Sequence, residues 1–218
     1  MKLLLTSNGL ANQSIVKALQ ELVGKPLAEC SLIFIPTAAG IKDQDKSWLI
    51  KDFQNVKKAG FKFIDIIDIA ALPKDNFLPR LAKADILLFG GGSPLFLLYW
   101  LEKTGLKELL PEMLKSKVYV GISAGSIATT KKVSVTSSSN NNLNSELVKM
   151  ESDEGLAYVD FCIRPHYARK DYSIWNDEKL TRLALEHKIP IYGIDDETAI
   201  KVVDGKIEII TEGIYKIF

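Results

Sequence analysis

The sequence predicts a three-layer α/β fold: a mostly parallel central sheet with helices on both faces, and a C-terminal β-hairpin. Three observations predict it. Leu32-Ile33-Phe34-Ile35 and Ile86-Leu87-Leu88-Phe89 are apolar at successive positions, as in strands covered on both sides. Amphipathic segments alternate with such runs, which argues for right-handed strand–helix–strand units. Near the end, Asp204-Gly205 separates two alternating segments and favours a tight hairpin turn.

The elements follow in order. A strand over Lys2–Thr6 leads to a helix after Ser14, with Ile15, Leu19 and Leu22 on one stripe and Gly24 just past its end. A strand at 31–36 precedes a helix carrying Trp48, Phe53 and Val56 that stops at Gly60. Strands follow at 62–66 and 85–89, then Ser93-Pro94 reads as an N-cap with proline in the first helical position. That helix ends before Gly105, and a strand at 117–121 follows. The polar run 136–142 reads as a surface loop. A strand at 160–164, a helix capped by Asn176 and carrying Leu180, Leu183 and Ala184, and a strand at 190–194 complete the alternation. The hairpin pairs Thr198–Val203 with Lys206–Thr211, and 213–218 adds a last strand. No repeat or dividing linker is visible, so 1–218 is expected to be one domain.

Composition narrows the function. Of 218 residues, 47% are hydrophobic and 25% charged, which excludes disorder, collagen-like repeats and membrane spans. Lys and Arg total 28 against 27 for Asp and Glu, so no global field attracts nucleic acid or an anionic membrane. Cys30 and Cys162 sit in apolar runs and read as reduced thiols of a reducing compartment. The apolar start, Leu3-Leu4-Leu5, is too short for a signal sequence, so a cytoplasmic location is expected.

The strongest chemical feature is Gly121-Ile122-Ser123-Ala124-Gly125, between a strand and a helix-compatible run. A nucleophile elbow needs that context: the glycines let the chain turn sharply and raise the serine hydroxyl above the sheet edge. The plainer reading is a tight strand–helix connection with a capping serine. Gly90-Gly91-Gly92-Ser93 also joins a strand to a helix, and serves either as a second arm of an oxyanion hole or as a glycine turn. It lacks the spacing of a dinucleotide fingerprint and a Walker lysine.

A serine nucleophile needs a base, and the chain has two histidines. His166 follows a strand, where the ligand side of an α/β sheet lies. His187 sits late in a charged helix and reads as a solvated residue favourable at a helix C-terminus. Asp195-Asp196-Glu197 directly follow an apolar strand, a costly placement unless donors or a cation await them. One of them would orient the imidazole, and the plainer reading is a turn of solvated acids. No Cys/His cluster has zinc-ligand spacing, and no metal or cofactor is expected.

With these motifs assembled, the chain resembles the serine peptidases of the peptidase E and cyanophycinase family over nearly its full length. The likeness rests on Ser7-Asn8, Ile33-Phe34-Ile35-Pro36, Phe89-Gly90-Gly91-Gly92, the Ser123 motif, Pro165-His166-Tyr167 and Gly193-Ile194-Asp195-Asp196. It implies a fold related to class I glutamine amidotransferases and a triad in the order serine, histidine, acid. Carried over, Ser123 is the nucleophile, His166 the base, and the N–H groups of Gly92 and Ala124 the oxyanion hole. The family's third member is usually glutamate; Asp196 stands there with Glu197 beside it, and alignment favours Asp196. The family's aspartyl dipeptidases use a downstream arginine to read the substrate, but the aligned stretch here, Asn176-Asp177-Glu178-Lys179, is acidic. Arg164, Arg169 and Lys170 lie nearby and read as surface charges.

The expectation is therefore a serine peptidase of dipeptidase or exopeptidase type acting on small peptides, monomeric or homodimeric, without nucleic-acid or membrane partners. An esterase or amidase using the same triad, or a catalytically inactive binding module, are the alternatives.

Overall fold

The computed structural model describes residues 1–41, 43–137 and 152–218, together with the backbone of 144–145 and 148–149. In chain order its strands are β1 (Lys2–Thr6), β2 (Ser31–Ile35), β3 (Phe63–Ile66), β4 (Ile86–Phe89), β5 (Val118–Ile122), β6 (Asn144–Ser145), β7 (Val148–Lys149), β8 (Cys162–Arg164), β9 (Ile191–Ile194), β10 (Thr198–Val203), β11 (Lys206–Thr211) and β12 (Tyr215–Ile217). The helices are α1 (Gln13–Val23), α2 (Ser47–Lys58), α3 (Lys74–Lys83), α4 (Pro94–Lys103), α5 (Leu106–Met113), α6 (Ala124–Ile127) and α7 (Asp177–His187).

Seven strands form the central sheet in the order β11-β10-β1-β5-β4-β2-β3. The five from β1 to β3 run parallel, and the β10–β11 hairpin adds an antiparallel edge to β1. Register explains the consecutive apolar residues. Leu4 pairs with Val120, Val120 with Leu88 and Leu88 with Phe34, a row buried under α1 and α2 with Ile15, Leu19 and Val56. One residue along, Leu5, Phe89 and Ile35 point to the opposite face and pack with Phe77 of α3, Leu98 of α4 and Leu110 of α5. Burying each such side chain contributes about 1.5–3 kcal/mol, so β1, β4, β5 and β2 form a rigid floor.

Local signals set the helix ends. The Asn12 side chain accepts from Ile15 N, so α1 begins just before Ser14, and Gly24 closes it at φ 81°. Ser93 accepts from Phe96 N at 3.3 Å and Asn176 from Lys179 N at 3.0 Å, as the capping pattern predicts. Cys30 and Cys162 are buried free thiols. Among the described residues no helix is long and apolar enough to cross a membrane.

The strands expected at 160–164 and 190–194 form, and they lie outside the central sheet: β8 and β9 pair in parallel in a separate three-stranded sheet. The last strand, expected within 213–218, is β12, which pairs with β9, and α7 covers this sheet through Leu180 against Cys162 and Ile191. The reason lies in 195–197, where the chain leaves β9 and enters β10 on the larger sheet. In the polar run, Thr136 and Ser137 are buried rather than on the surface; residues 138–142 lie outside the described residues.

Candidate active site

Parallel strands end at one edge, and the sequence places its polar residues there. Ser7 follows β1, Gly90–Gly92 follow β4 and Ser123 follows β5. From the smaller sheet, His166 lies just beyond β8 and Asp196 just beyond β9. Between the sheets is a cavity of about 190 Å³ whose lining includes Ser7, Asp52, Gly92, Ser123 and His166.

Ser123 turns at φ 46° and ψ −99°, a conformation that L-residues rarely adopt. Such a backbone costs on the order of 1–3 kcal/mol and persists only where neighbours impose it. Here Ser123 N–H donates to Thr6 O at 2.9 Å, and Ile127 N–H donates back to Ser123 O at 2.9 Å. The turn also needs glycine at 125, where an added Cβ would lie 2.1 Å from Phe89 O.

His166 Nε2 lies 3.2 Å from Ser123 Oγ, and His166 Nδ1 lies 2.6 Å from Asp196 Oδ1. With the proton on Nδ1 donated to the carboxylate, Nε2 accepts from the serine hydroxyl. Ser7 fixes the His166 segment: its Oγ accepts from His166 N–H at 2.8 Å and donates to Asp196 Oδ1 at 2.8 Å. The imidazole stacks on Tyr172, with ring centres 5.2 Å apart.

Burial works against ionisation of Asp196, yet the hydrogen bond and charge of His166, the Ser7 hydroxyl and the Arg169 charge outweigh it and hold the carboxyl at about 2. Asp196 is thus an acceptor-only anion at neutral pH. Its neighbours in the acidic run do other work. Glu197 Oε2 accepts from Asn12 Nδ2 at 3.0 Å, away from the imidazole. Asp195 accepts from Thr198 Oγ1 at 2.6 Å and Ile214 N at 2.7 Å, tying the β9–β10 bend to the segment before β12.

Gly92 lines the cavity at φ 132°, where a Cβ would lie 2.1 Å from Ala38 O. Ala124 directly follows the serine as the first residue of α6. Among the described residues no acceptor takes the N–H of Gly92 or Ala124, which leaves both donors available.

One of the three cations differs from expectation. Arg164 is no surface charge: it is 1% exposed, donates to Thr136 O at 3.0 Å and stacks its guanidinium 4.3 Å from the Trp175 ring centre. Burial lowers it to about 10, so it remains a cation. Arg169 pairs with both Asp171, at 2.6 Å, and Asp196, at 3.1 Å; Lys170 is exposed. In the acidic stretch, Asn176 caps α7 and Asp177 accepts from Tyr167 Oη at 2.8 Å, so both serve structure. His187 lies exposed in the last turn of α7.

Sequence reasoning passed over Asp52, saw Trp48 only as a helix residue, and used Ser7 only as a strand end within the family likeness. Trp48, Asp52 and Val56 stand four residues apart on α2, so the pattern puts a carboxylate on an apolar stripe. That misfit is the signal that singles out Asp52.

A hydroxyl, an imidazole and an ionised carboxylate hydrogen-bonded in one line, at the edge of a parallel sheet, make up the arrangement that serine-type hydrolases require. The chain belongs to peptidase family S51, whose family model matches residues 3–210. It is 30% identical over 138 residues to an uncharacterised peptidase of Listeria innocua, a stretch covering 63% of this chain and 64% of that protein. The chain thus spans just under two thirds of that relative's length. Peptidase E of Streptomyces coelicolor is 30% identical over 131 residues, covering 57% of this chain and 51% of that one. A crystal structure from Listeria monocytogenes, provisionally called a peptidase E protein, superposes with a TM-score of 0.79 over 97% of this chain and 98% of that one. At 24% identity that likeness speaks for the fold.

Proposed function

We propose that the protein is a serine-type peptidase that cleaves small peptides through an acyl-enzyme on Ser123. His166 takes the Ser123 proton as Oγ attacks the scissile carbonyl, and the N–H groups of Gly92 and Ala124 receive the oxyanion. His166 then protonates the leaving amine, and water, activated by the same imidazole, releases the acyl group. Asp196 holds the ring tautomer and offsets the imidazolium charge.

The observation that carries this reading is the continuous hydrogen-bonded line from Ser123 Oγ through His166 to Asp196. The peptidase E name of the Streptomyces relative supports a peptide bond as the target. An ester would enter the same first step, so a panel of dipeptides, isoaspartyl peptides and simple esters separates the substrate classes. The deciding experiment is labelling with a fluorophosphonate, read by mass spectrometry. Labelling at Ser123 that His166→Ala abolishes is expected. An unlabelled serine at neutral pH points instead to a binding module.

A further inference from the structure

Trp48, Asp52 and Val56 share one face of α2. Val56 is buried in the core and Trp48 packs beside Gly91: a Cβ at Gly91 would lie 3.2 Å from the Trp48 ring and 3.8 Å from Ser123 Cβ. Asp52, one turn further along, lines the same cavity and is 4% exposed. Its Oδ1 would lie 3.6 Å from a Cβ built on Gly9, at the wall beside Ile122.

No described residue hydrogen-bonds the Asp52 carboxyl. Burying a carboxylate without a donor is costly, and a fold that keeps one leaves it for something absent. The charged groups around it are few. Lys51 on its own helix favours the anion, and Asp196 across the cavity disfavours it. His166, Arg164 and Arg169 line the cavity from the side of the smaller sheet. Burial dominates and pushes Asp52 up to about 7, poised between acid and anion near neutrality.

We infer that Asp52 determines specificity by receiving the free α-ammonium group of a peptide's N-terminal residue while its carbonyl lies at Ser123. The inference rests on the peptidase reading above. About 190 Å³ is small beside ligand pockets of roughly 300–1,000 Å³, so the cavity suits a terminal residue rather than a through-running chain. The ammonium of such a residue lies two bonds from the scissile carbon, and the Asp52 position lies one helical turn beyond Trp48, which flanks the serine. An ammonium supplies both the missing donors and the charge that keeps Asp52 ionised. An acetylated N-terminus supplies neither.

The test reads binding, so it does not depend on turnover. The Ser123→Ala protein is titrated calorimetrically near neutral pH with Ala-Ala amide and with its N-acetyl derivative, alone and with Asp52→Asn added. Asn is neutral and nearly isosteric, so the cavity wall keeps its shape. The free amine is expected to bind tighter by about tenfold or more, as a charge-assisted hydrogen bond requires. Asp52→Asn is expected to erase that preference. Titrations in buffers of different ionisation enthalpy are expected to show a fraction of a proton released with the free amine, lost in Asp52→Asn. Equal affinity for the two ligands, no binding of either, or a preference that survives Asp52→Asn overturns the inference. Turnover of p-nitrophenyl acetate by the wild-type protein reports separately on Ser123. Ester turnover without amine preference removes the Asp52 role and leaves acyl transfer standing; amine preference without ester turnover does the reverse.

Discussion

Replacing Asp196 with Asn tests the hydrogen-bonded line at its anchored end. The carboxylate accepts from His166 Nδ1 at 2.6 Å and Ser7 Oγ at 2.8 Å and pairs with Arg169 at 3.1 Å. An amide fills the same space but carries no charge, and its NH₂ donates to Nδ1. The ring proton then moves to Nε2, which can no longer accept from Ser123 Oγ. In a triad this change costs on the order of 10⁴ in kcat, or about 5.5 kcal/mol. Stability falls as well: holding the carboxyl from 3.8 down to about 2 is worth roughly 2 kcal/mol at neutral pH. Because the folded value lies below the unfolded one, that contribution is present above about pH 4 and lost as pH falls toward about 2. Ester or dipeptide turnover measures the first effect, and urea unfolding at several pH values measures the second. Turnover within tenfold of wild type, or a stability gap that does not close on acidification, refutes the reasoning.

Ser123→Gly is expected to abolish turnover yet raise stability by about 1 kcal/mol in urea unfolding, because glycine relieves the φ 46° conformation. Ser7→Ala leaves the His166 N–H without its acceptor and frees the imidazole, so kcat is expected to drop roughly 10- to 100-fold with KM nearly unchanged, and stability by about 1–3 kcal/mol. Asp52→Asn shows the opposite pH sign to Asp196→Asn. The raised value of about 7 means that the acid form's stability is complete below about pH 4 and lost as pH rises through 7. The variant and wild type are therefore expected to match in acid, with the variant ahead by on the order of 4 kcal/mol above pH 8.

The central sheet was legible because strands covered on both faces leave unbroken apolar runs, as in Ile86–Phe89. Caps at Ser93 and Asn176 were legible because a side-chain oxygen must satisfy the first turn's donors. Helices α3 and α5 were not, since each carries an interior proline, Pro79 and Pro111, a residue that ordinarily ends a helix. Pairing was the larger loss. The run before His166 shows that a strand exists but not which neighbour it takes, so the second sheet stayed hidden. For the site, two histidines and one glycine-flanked serine left few combinations, and the structure brings Ser123, His166 and Asp196 together. Glu197 stands in the same run but faces Asn12. A choice between adjacent carboxylates depends on the turn of one peptide unit, which no composition reveals.

The two sheets raise the question of what sets the distance between hydroxyl and imidazole, since Ser123 follows a strand of one and His166 a strand of the other. Two adjacent residues at the end of β1 answer it. Thr6 O accepts from Ser123 N–H at 2.9 Å and from Ser126 Oγ at 2.7 Å, fixing the elbow through the backbone. Ser7 Oγ holds the His166 backbone and the Asp196 carboxylate, fixing the imidazole and its partner through a side chain. Strand pairing makes that reach possible: Thr6 lies opposite Ala199 in the β1–β10 ladder, so Asp196, in the bend before β10, arrives beside Ser7. The ladder is buried along Leu3, Leu5, Ile200 and Val202, so slipping its register by one residue would take this whole set out of the core it fills and onto the opposite face. Core packing thereby specifies active-site geometry across the sheet boundary. The strain at Ser123, and an Asp52 carboxyl that no described residue hydrogen-bonds, are tolerated because the floor beneath them cannot yield without disrupting that core.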